Sequence, residues 1–221
     1  MKLDVKAINS LIGVEESFQA PSKLKEIIFD REKREKLFLR FLEIEHNLSY
    51  DWFNQYFMEV QADRKEKKQD FTPESIAEIT TKLVGASKNY FEPAAGTGGM
   101  LVKQWDYERK LETPLTYRPS KHFYEVEELG EAAMPFLLFN CLIRGMNVAV
   151  IHGDSLKRRI KNIYFIQNFD DDFMKFSSLN VLPRNKFVKK EFDVEEWIGE
   201  PVEHIEDQEY PRWMEVVKKI Q

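Results

Sequence analysis

The residues best suited to chemistry form one short segment, Glu-Pro-Ala-Ala-Gly-Thr-Gly-Gly at residues 92–99. Pro93 fixes its own φ and restricts the residue before it, so the chain leaves this point in an extended conformation. The glycines lack a Cβ, which permits a tight turn with positive φ and leaves backbone amides open to a ligand. An apolar helix start follows at Met100. The segment predicts a strand, a turn and a helix N-terminus suited to a nucleotide-like ligand. An ordinary tight turn is the alternative.

The elements around this segment alternate between strand and helix. Three predicted strand segments are separated by two predicted helices, at residues 100–109 and 132–142. This alternation is typical of a parallel sheet with crossover helices, in which ligands bind at the carboxyl edge of the strands. Because Gly96, Glu127 and Asp154 follow the three strand ends, we expect them to lie along that edge.

A carboxylate at the end of the second strand has a specific use in nucleotide-binding α/β folds. It accepts hydrogen bonds from the two adjacent ribose hydroxyls. Glu127 lies at or just past the end of the strand predicted at residues 121–127, which makes it the candidate for this role. Glu125 and Glu128 are near alternatives, and a solvated acid with no ligand is a third interpretation.

The first part of the chain, residues 1–66, is predicted to be an all-helical unit. Apolar residues recur there at helical spacing. Its four clustered aromatic residues favour packing between helices over stacking on nucleobases. These aromatic residues are Trp52, Phe53, Tyr56 and Phe57.

The next helix is predicted to begin with Thr72 as its N-cap and Pro73 at its first helical position. Its apolar residues recur on one helix face, which predicts that this face is buried. The residues of that face are Ile76, Ile79, Leu83 and Val84.

Composition limits the possible functions. The net charge of −5 argues against a free-standing, nonspecific DNA-binding protein, which would carry a basic excess. Two basic clusters, at residues 64–68 and 157–161, are candidates for a local DNA-binding face, with solvated loops as the alternative. No apolar run reaches the roughly 20 residues of a membrane helix. The single cysteine, Cys141, fits a buried structural thiol and a cytoplasmic protein.

Three segments resemble motifs of the amino-group DNA methyltransferases. Residues 92–99 are similar to their first motif, Asp-Pro-Ala-Cys-Gly-Thr-Gly-Gly, and depart from it at Glu92 and Ala95. Asp-Phe-Thr-Pro at residues 70–73 and Gly-Asp-Ser-Leu at residues 153–156 resemble two further motifs of the family. The resemblance is greatest to the modification subunit of type I restriction systems, which methylates adenine N6 with S-adenosylmethionine.

This resemblance implies an S-adenosylmethionine site and no metal. Thr72 and Pro73 would lie beside the methionine part and the glycine turn under it, with Glu127 on the ribose and Asp154 at the adenine amino group. The residues that the resemblance assigns to cofactor binding are Phe71, Thr72, Pro73, Glu92, Pro93, Ala94, Gly96, Thr97, Gly98, Gly99, Glu127, Asp154 and Ser155.

The catalytic motif of the same family, Asn/Asp-Pro-Pro-Tyr/Phe, does not occur in residues 155–221. Methylation of an exocyclic amine requires a flipped base, acceptors for its amino group and an aromatic ring stacked on it. The nearest substitutes contain Asn168 with Phe169, and Asn180. Neither combines an amide, two prolines and an aromatic ring, so the catalytic residues are not identified and these three are the only candidates.

The sequence therefore predicts an α/β protein with two domains. Residues 1–66 form the helical unit, and residues 67–221 form a reduced Rossmann-like, S-adenosylmethionine-dependent methyltransferase fold with an irregular, acidic C-terminal part. By resemblance it is an N6-adenine DNA methyltransferase-like protein, of phage or mobile-element type, with a separate specificity subunit that reads DNA. The alternatives are a catalytically inactive, cofactor-binding protein that acts in interaction or anti-restriction, and methyl transfer to another substrate through an unrelated loop.

Overall fold

The computed structural model describes residues 3–60, 72–87 and 89–208. The chain divides into two compact units, each built from three segments. The first unit consists of Met1–Ala86, Ala95–Leu111 and Glu131–Asn140, and the second of Ser87–Ala94, Glu112–Gly130 and Cys141–Gln221. The predicted domain boundary after residue 66 lies outside the described residues and stays a prediction.

The first unit is helical. Its helices are α1 (Val5–Ile12), α2 (Ala20–Ile28), α3 (Arg31–Leu42), α4 (Asn54–Val60), α5 (Glu74–Val84), α6 (Gly99–Lys110) and most of α7 (Met134–Ile143), with a short 3₁₀ turn at Ser17–Gln19. Local signals set several of these ends. The Asp4 carboxylate accepts a hydrogen bond from the Ala7 amide at the start of α1, and Gly13 ends that helix with φ of 83°. Asp30 caps α3 in the same way through the Lys33 amide.

A cluster of aromatic rings forms the core of the first unit. Phe139 lies at its centre, with ring centroids 4.9 Å from both Phe41 and Phe53. Trp52 and Tyr56 are buried beside it, as is Phe57. The prediction that these N-terminal aromatic residues pack helices together is confirmed.

Helix α5 differs from its sequence-based prediction. It begins at Glu74, with Pro73 instead of Thr72 at the N-cap position. Its apolar face is exposed, with Leu83 at 82% exposure, so the predicted burial of Ile76, Ile79, Leu83 and Val84 is wrong. The buried positions are instead Ala77 and Thr81. These small side chains let α5 pack closely beside α6, which an apolar spacing pattern alone does not reveal.

The second unit contains a mixed sheet. Its strands are β1 (Asn89–Pro93), β2 (Phe123–Glu128), β3 (Val148–Asp154), β4 (Arg159–Gln167), β5 (Ser178–Val181) and β6 (Glu196–Trp197), with a 3₁₀ turn at Pro119–Lys121 and helix α8 at Lys186–Glu191. Strands β1, β2 and β3 are parallel and adjacent, as predicted. Strand β4 returns antiparallel to β3, with β5 antiparallel and β6 parallel to β4. Among the described strands, β1 pairs only with β2.

The order strand, helix, strand, helix, strand from β1 to β3 confirms the predicted α/β, Rossmann-like class. The register places Pro93 beside Glu127 and Glu127 beside Ile151. The carboxyl ends of the three parallel strands therefore lie at one edge of the sheet. Cys141 is buried, as predicted. Within the described part of the chain, no helix has the length and apolar character needed to cross a membrane.

Candidate ligand-binding site

The glycine turn after β1 adopts a backbone that few residues accept. Gly96 and Gly98 have φ of 60° and 96°, and Ala94 has φ of 64°, which is unusual for a residue with a Cβ. The Gly98 amide donates a hydrogen bond to the Ala95 carbonyl oxygen, which closes the turn, and helix α6 begins at the next residue. A Cβ on Gly98 would lie 2.9 Å from Leu137 Cδ1. Gly98 is therefore required both by its φ and by the space around it.

A buried polar network holds this turn. The Thr97 hydroxyl donates a hydrogen bond to Asp51 Oδ2. Asn140 Nδ2 donates to Asp51 Oδ1 at 2.7 Å and to the Thr97 carbonyl oxygen at 2.8 Å. The Phe53 amide also donates to Asp51 Oδ1. The hydroxyl of Thr97, predicted to contact the cofactor, is thus used to position the turn.

Sequence reasoning missed both Asp51 and Asn140. The available signal was Asn140 itself, a polar residue within the apolar helix α7. A buried amide requires hydrogen-bond partners. Nothing in the sequence indicated that Asp51, in a different segment, would be one of them.

A cavity of about 380 Å³ lies in the first unit beside the start of α6. Two of the predicted residues, Thr72 and Gly99, line it. Asn54 and an ion pair between Lys103 and Glu74 supply further polar groups to its wall. A Cβ built on Gly99 would lie 3.6 Å from Asn54 Nδ2, an ordinary contact distance. The cavity therefore offers donors and acceptors to a small polar ligand. Phe71, also predicted to contact the cofactor, lies outside the described residues.

In the second unit, Glu127 is the penultimate residue of β2 and a buried acid. It is 1% exposed, and its Oε1 accepts a hydrogen bond from Arg158 Nη1 at 2.6 Å. Its Oε2 has no hydrogen-bond partner among the described residues. A buried acceptor without a partner is rare, because desolvation is then not compensated.

The two alternative acids at this strand have other surroundings. Glu128 Oε1 accepts a hydrogen bond from the Gly130 amide at 2.5 Å, which stabilises the turn after β2. Burial raises the pKa of the Glu125 carboxyl, and the neighbouring Glu127 charge raises it further. Of these three carboxylates, Glu127 is the one with a buried oxygen that has no hydrogen-bond partner among the described residues, and its role toward a ribose stays a prediction.

Asp154 ends β3, and much of its carboxylate is used within its own turn. Its Oδ1 accepts hydrogen bonds from the Lys157 amide at 3.0 Å and the Leu156 amide at 3.1 Å, and these bonds lower the pKa of the carboxyl. Its Oδ2 lies 3.7 Å from Lys157 Nζ. The structure places Asp154 at the predicted sheet edge, and its role toward adenine stays a prediction.

Gly153 and Ser155, on either side of Asp154, both have structural roles. A Cβ on Gly153 would lie 2.4 Å from the Arg159 carbonyl oxygen, so glycine is needed for the close approach of β4 to β3. The Ser155 carbonyl oxygen lies 3.5 Å from Arg158 Nη1 and accepts a weak hydrogen bond. The Gly-Asp-Ser segment therefore shapes the β3–β4 hairpin whether or not it binds a ligand.

At the end of β1, Glu92 and Pro93 were predicted to contact the cofactor. Glu92 Oε2 accepts a hydrogen bond from the Tyr90 hydroxyl at 2.8 Å. Pro93 is the last residue of β1 and pairs in register with Glu127. Both residues therefore lie at the predicted edge of the sheet.

Two of the three candidate catalytic residues, the asparagines, have structural contacts. Asn168 Nδ2 donates to the carbonyl oxygens of Asp172 at 2.8 Å and Gly145 at 3.1 Å, and Phe169 beside it is half-buried. Asn180 Oδ1 accepts hydrogen bonds from two backbone amides of residues 206 and 207. These contacts explain both asparagines without catalysis. Within the described residues, no group of three or more His, Cys, Asp or Glu side chains could hold a metal ion.

The chain is similar to one solved structure and to one protein family. A solved structure, that of a modification subunit of a putative type I restriction enzyme from Vibrio vulnificus YJ016, is similar with a TM-score of 0.42 and 16% sequence identity. The similarity covers 59% of this chain and 27% of that subunit, so the chain spans about a quarter of its length. None of the curated proteins compared with the chain matches it. Residues 48–179 match the family model described as N-6 DNA Methylase. Because this match covers more than half of the chain, the protein belongs to the N-6 DNA methylase family.

Proposed function

We propose that the protein binds S-adenosylmethionine as an N6-adenine DNA methyltransferase-like component of a type I restriction-modification system. The observation that carries this proposal is the Oε2 atom of Glu127. It is a buried acceptor without a partner among the described residues, at the strand end where nucleosides bind in such folds. The family match over residues 48–179 supports the same assignment.

We assign the chemical groups of this cofactor to residues of the family motifs. Glu127 is assigned to a ribose hydroxyl, and Asp154 to the adenine amino group. The cavity lined by Thr72, Gly99 and Lys103 has the charged and polar groups that an amino-acid end requires. When bound, the cofactor supplies an electrophilic methyl group.

Sequence-specific DNA recognition is assigned to a separate specificity subunit. The acidic net charge supports this assignment, because phosphate contacts need a basic surface. We also propose that the protein acts in the cytoplasm, in agreement with its single buried cysteine.

The second candidate function is cofactor binding without methyl transfer, in an interaction or anti-restriction protein. The absence of an Asn/Asp-Pro-Pro-aromatic motif from the sequence favours it. The contacts of Asn168 and Asn180 favour it as well. These two asparagines are the nearest substitutes for that motif, and their side-chain amides are already hydrogen-bonded to the backbone.

Calorimetric titration with S-adenosylmethionine and a tritiated-methyl transfer assay on DNA of mixed sequence test these functions together. Saturable binding is expected for the wild-type protein. Much weaker binding is expected for Glu127→Gln, which replaces one carboxylate oxygen, an acceptor, by an NH2 group, a donor. Asp170→Ala is a suitable control, since its exposed ion pair with Lys175 lies apart from the strand ends. Binding with transfer supports the methyltransferase, and binding without transfer supports the second function. Lack of binding by the folded wild-type protein would contradict both.

A further inference from the structure

Arg158 has an unusual backbone and a constrained side chain. It lies in the turn between β3 and β4 and has φ of 51°, in the left-handed region that non-glycine residues seldom adopt. The exposed fraction of its side chain is 20%. A partly buried arginine in such a conformation requires compensating contacts.

Those contacts fix the orientation of the guanidinium group. Nη2 donates to the Phe192 carbonyl oxygen at 2.6 Å, and Nε donates to the Asp193 carbonyl oxygen at 3.0 Å. Nη1 donates to Glu127 Oε1 at 2.6 Å. Two backbone carbonyls therefore hold the side chain while its remaining nitrogen points at the buried carboxylate.

This arrangement makes the two oxygens of Glu127 different. Oε1 takes part in a short, charge-assisted hydrogen bond, which weakens it as an acceptor for another donor. Oε2 is buried and has no partner among the described residues. A carboxylate with both oxygens open would accept two adjacent hydroxyls, whereas this one offers mainly one.

We propose that Arg158 is a positioning residue of the nucleoside site, which holds Glu127 by Oε1 and leaves Oε2 to accept a single sugar hydroxyl. The inference rests on the proposed function, in which Glu127 binds the ribose. It adds that one of the two ribose hydroxyls contributes more to binding than the other, which follows from neither the family motif nor the fold.

The first test needs no variant. S-adenosylhomocysteine and its 2′-deoxy and 3′-deoxy forms are titrated into the wild-type protein. Loss of the hydroxyl that Oε2 accepts is expected to weaken binding by about tenfold or more, since a buried acceptor is again left unpaired. Loss of the other hydroxyl is expected to weaken it by less than about threefold.

The second test separates positioning of Glu127 from general support of the loop at residues 192–193. Arg158→Ala is expected to weaken S-adenosylhomocysteine binding by about tenfold, and Arg158→Lys is expected to restore part of the affinity because a cation still reaches Glu127. Arg159→Ala is the matched control, because the neighbouring Arg159 pairs with Glu196 at the surface. In a Glu127→Gln background, Arg158→Ala should have little further effect on binding.

The outcomes are distinct. Equal losses for the two deoxy forms, or an undiminished effect of Arg158→Ala in the Glu127→Gln background, would overturn the inference while the proposed function stands. Failure of the folded wild-type protein to bind S-adenosylhomocysteine would instead overturn the proposed function.

Discussion

The Thr97 hydroxyl in the glycine turn donates a hydrogen bond to the Asp51 carboxylate, although the two residues are 46 positions apart in the sequence. Asn140 bonds to both partners and completes a buried network. The turn that carries the family motif is therefore not shaped by its glycines alone. A carboxylate from the N-terminal helical segment fixes its conformation.

Asp51→Ala should destabilise the protein by about 2–4 kcal/mol. The substitution removes the acceptor of the buried Thr97 hydroxyl and one of the two acceptors of Asn140 Nδ2. The desolvation cost of these buried groups is then no longer compensated. Urea denaturation of the wild type and variant measures the change. Asp170→Ala, which removes an exposed ion pair, should change the free energy of unfolding by less than about 0.5 kcal/mol. Equal stability of Asp51→Ala and the wild type would contradict a structural role for the network.

Two adjacent glycines of the turn should respond differently to alanine. Gly98→Ala should lower the free energy of unfolding by about 1–3 kcal/mol, because φ of 96° is strained for alanine and its Cβ would meet Leu137. Gly99→Ala should leave stability unchanged within about 0.5 kcal/mol, since its Cβ meets no atom closer than 3.6 Å.

Gly99→Ala should weaken ligand binding although it leaves the stability unchanged. The added methyl group narrows the cavity that Gly99 lines, so Gly99→Ala should weaken S-adenosylmethionine binding in a calorimetric titration without loss of melting temperature. Unchanged affinity of this stable variant would exclude the cavity as part of the cofactor site.

The sequence predicts the strands and helices of the second unit better than it predicts the side-chain contacts between them. Strands β1 to β3 alternate with two helices in the sequence, and parallel pairing follows from these connecting helices, so Glu127 and Asp154 could be placed at one edge. Arg158 could not be assigned, because its contacts reach residues 127, 192 and 193 through the tertiary fold. No local pattern encodes such contacts.

Helix α5 shows a different limit of sequence reasoning. Its apolar spacing correctly predicts a helix, but Leu83 is exposed while Thr81 is buried. Periodicity defines which residues share a face and not which face another element covers. The polar network around Asp51 was missed for a related reason, since hydrogen-bond partners far apart in sequence leave no periodic signal.

Glu125→Gln should stabilise the protein near neutral pH. Burial, the Glu127 charge and the Glu191 charge raise the pKa of the Glu125 carboxyl, while Arg158 opposes them. A carboxyl whose pKa is higher in the folded state than in the unfolded state opposes folding once it ionises. The protein therefore loses stability as the pH rises from the unfolded-state pKa through the folded-state pKa. The advantage of glutamine should therefore vanish below about pH 4. Melting temperatures between acidic and neutral pH measure it.

Glu78→Gln is the control with the opposite sign. Lys82 lowers the pKa of Glu78 through a hydrogen bond and its charge. The ionised group therefore favours folding above its unfolded pKa, and this contribution is lost as pH falls. A melting temperature of Glu125→Gln at or below that of the wild type at neutral pH would contradict an unfavourable buried carboxylate.

Asn168→Ala should lower the stability of the protein, because Asn168 has structural hydrogen bonds. Its amide group donates to the carbonyl oxygens of Gly145 and Asp172 and accepts from the Asp172 amide, and the substitution removes all three hydrogen bonds. The Asp172 carbonyl oxygen keeps the Lys175 amide as a donor. We expect a loss of about 2–4 kcal/mol in the free energy of unfolding. Phe169→Leu keeps apolar volume but removes the ring that base stacking would need, and it should leave methyl transfer unchanged. A variant Asn168→Ala with the wild-type melting temperature but without methyl transfer would contradict a purely structural role for Asn168.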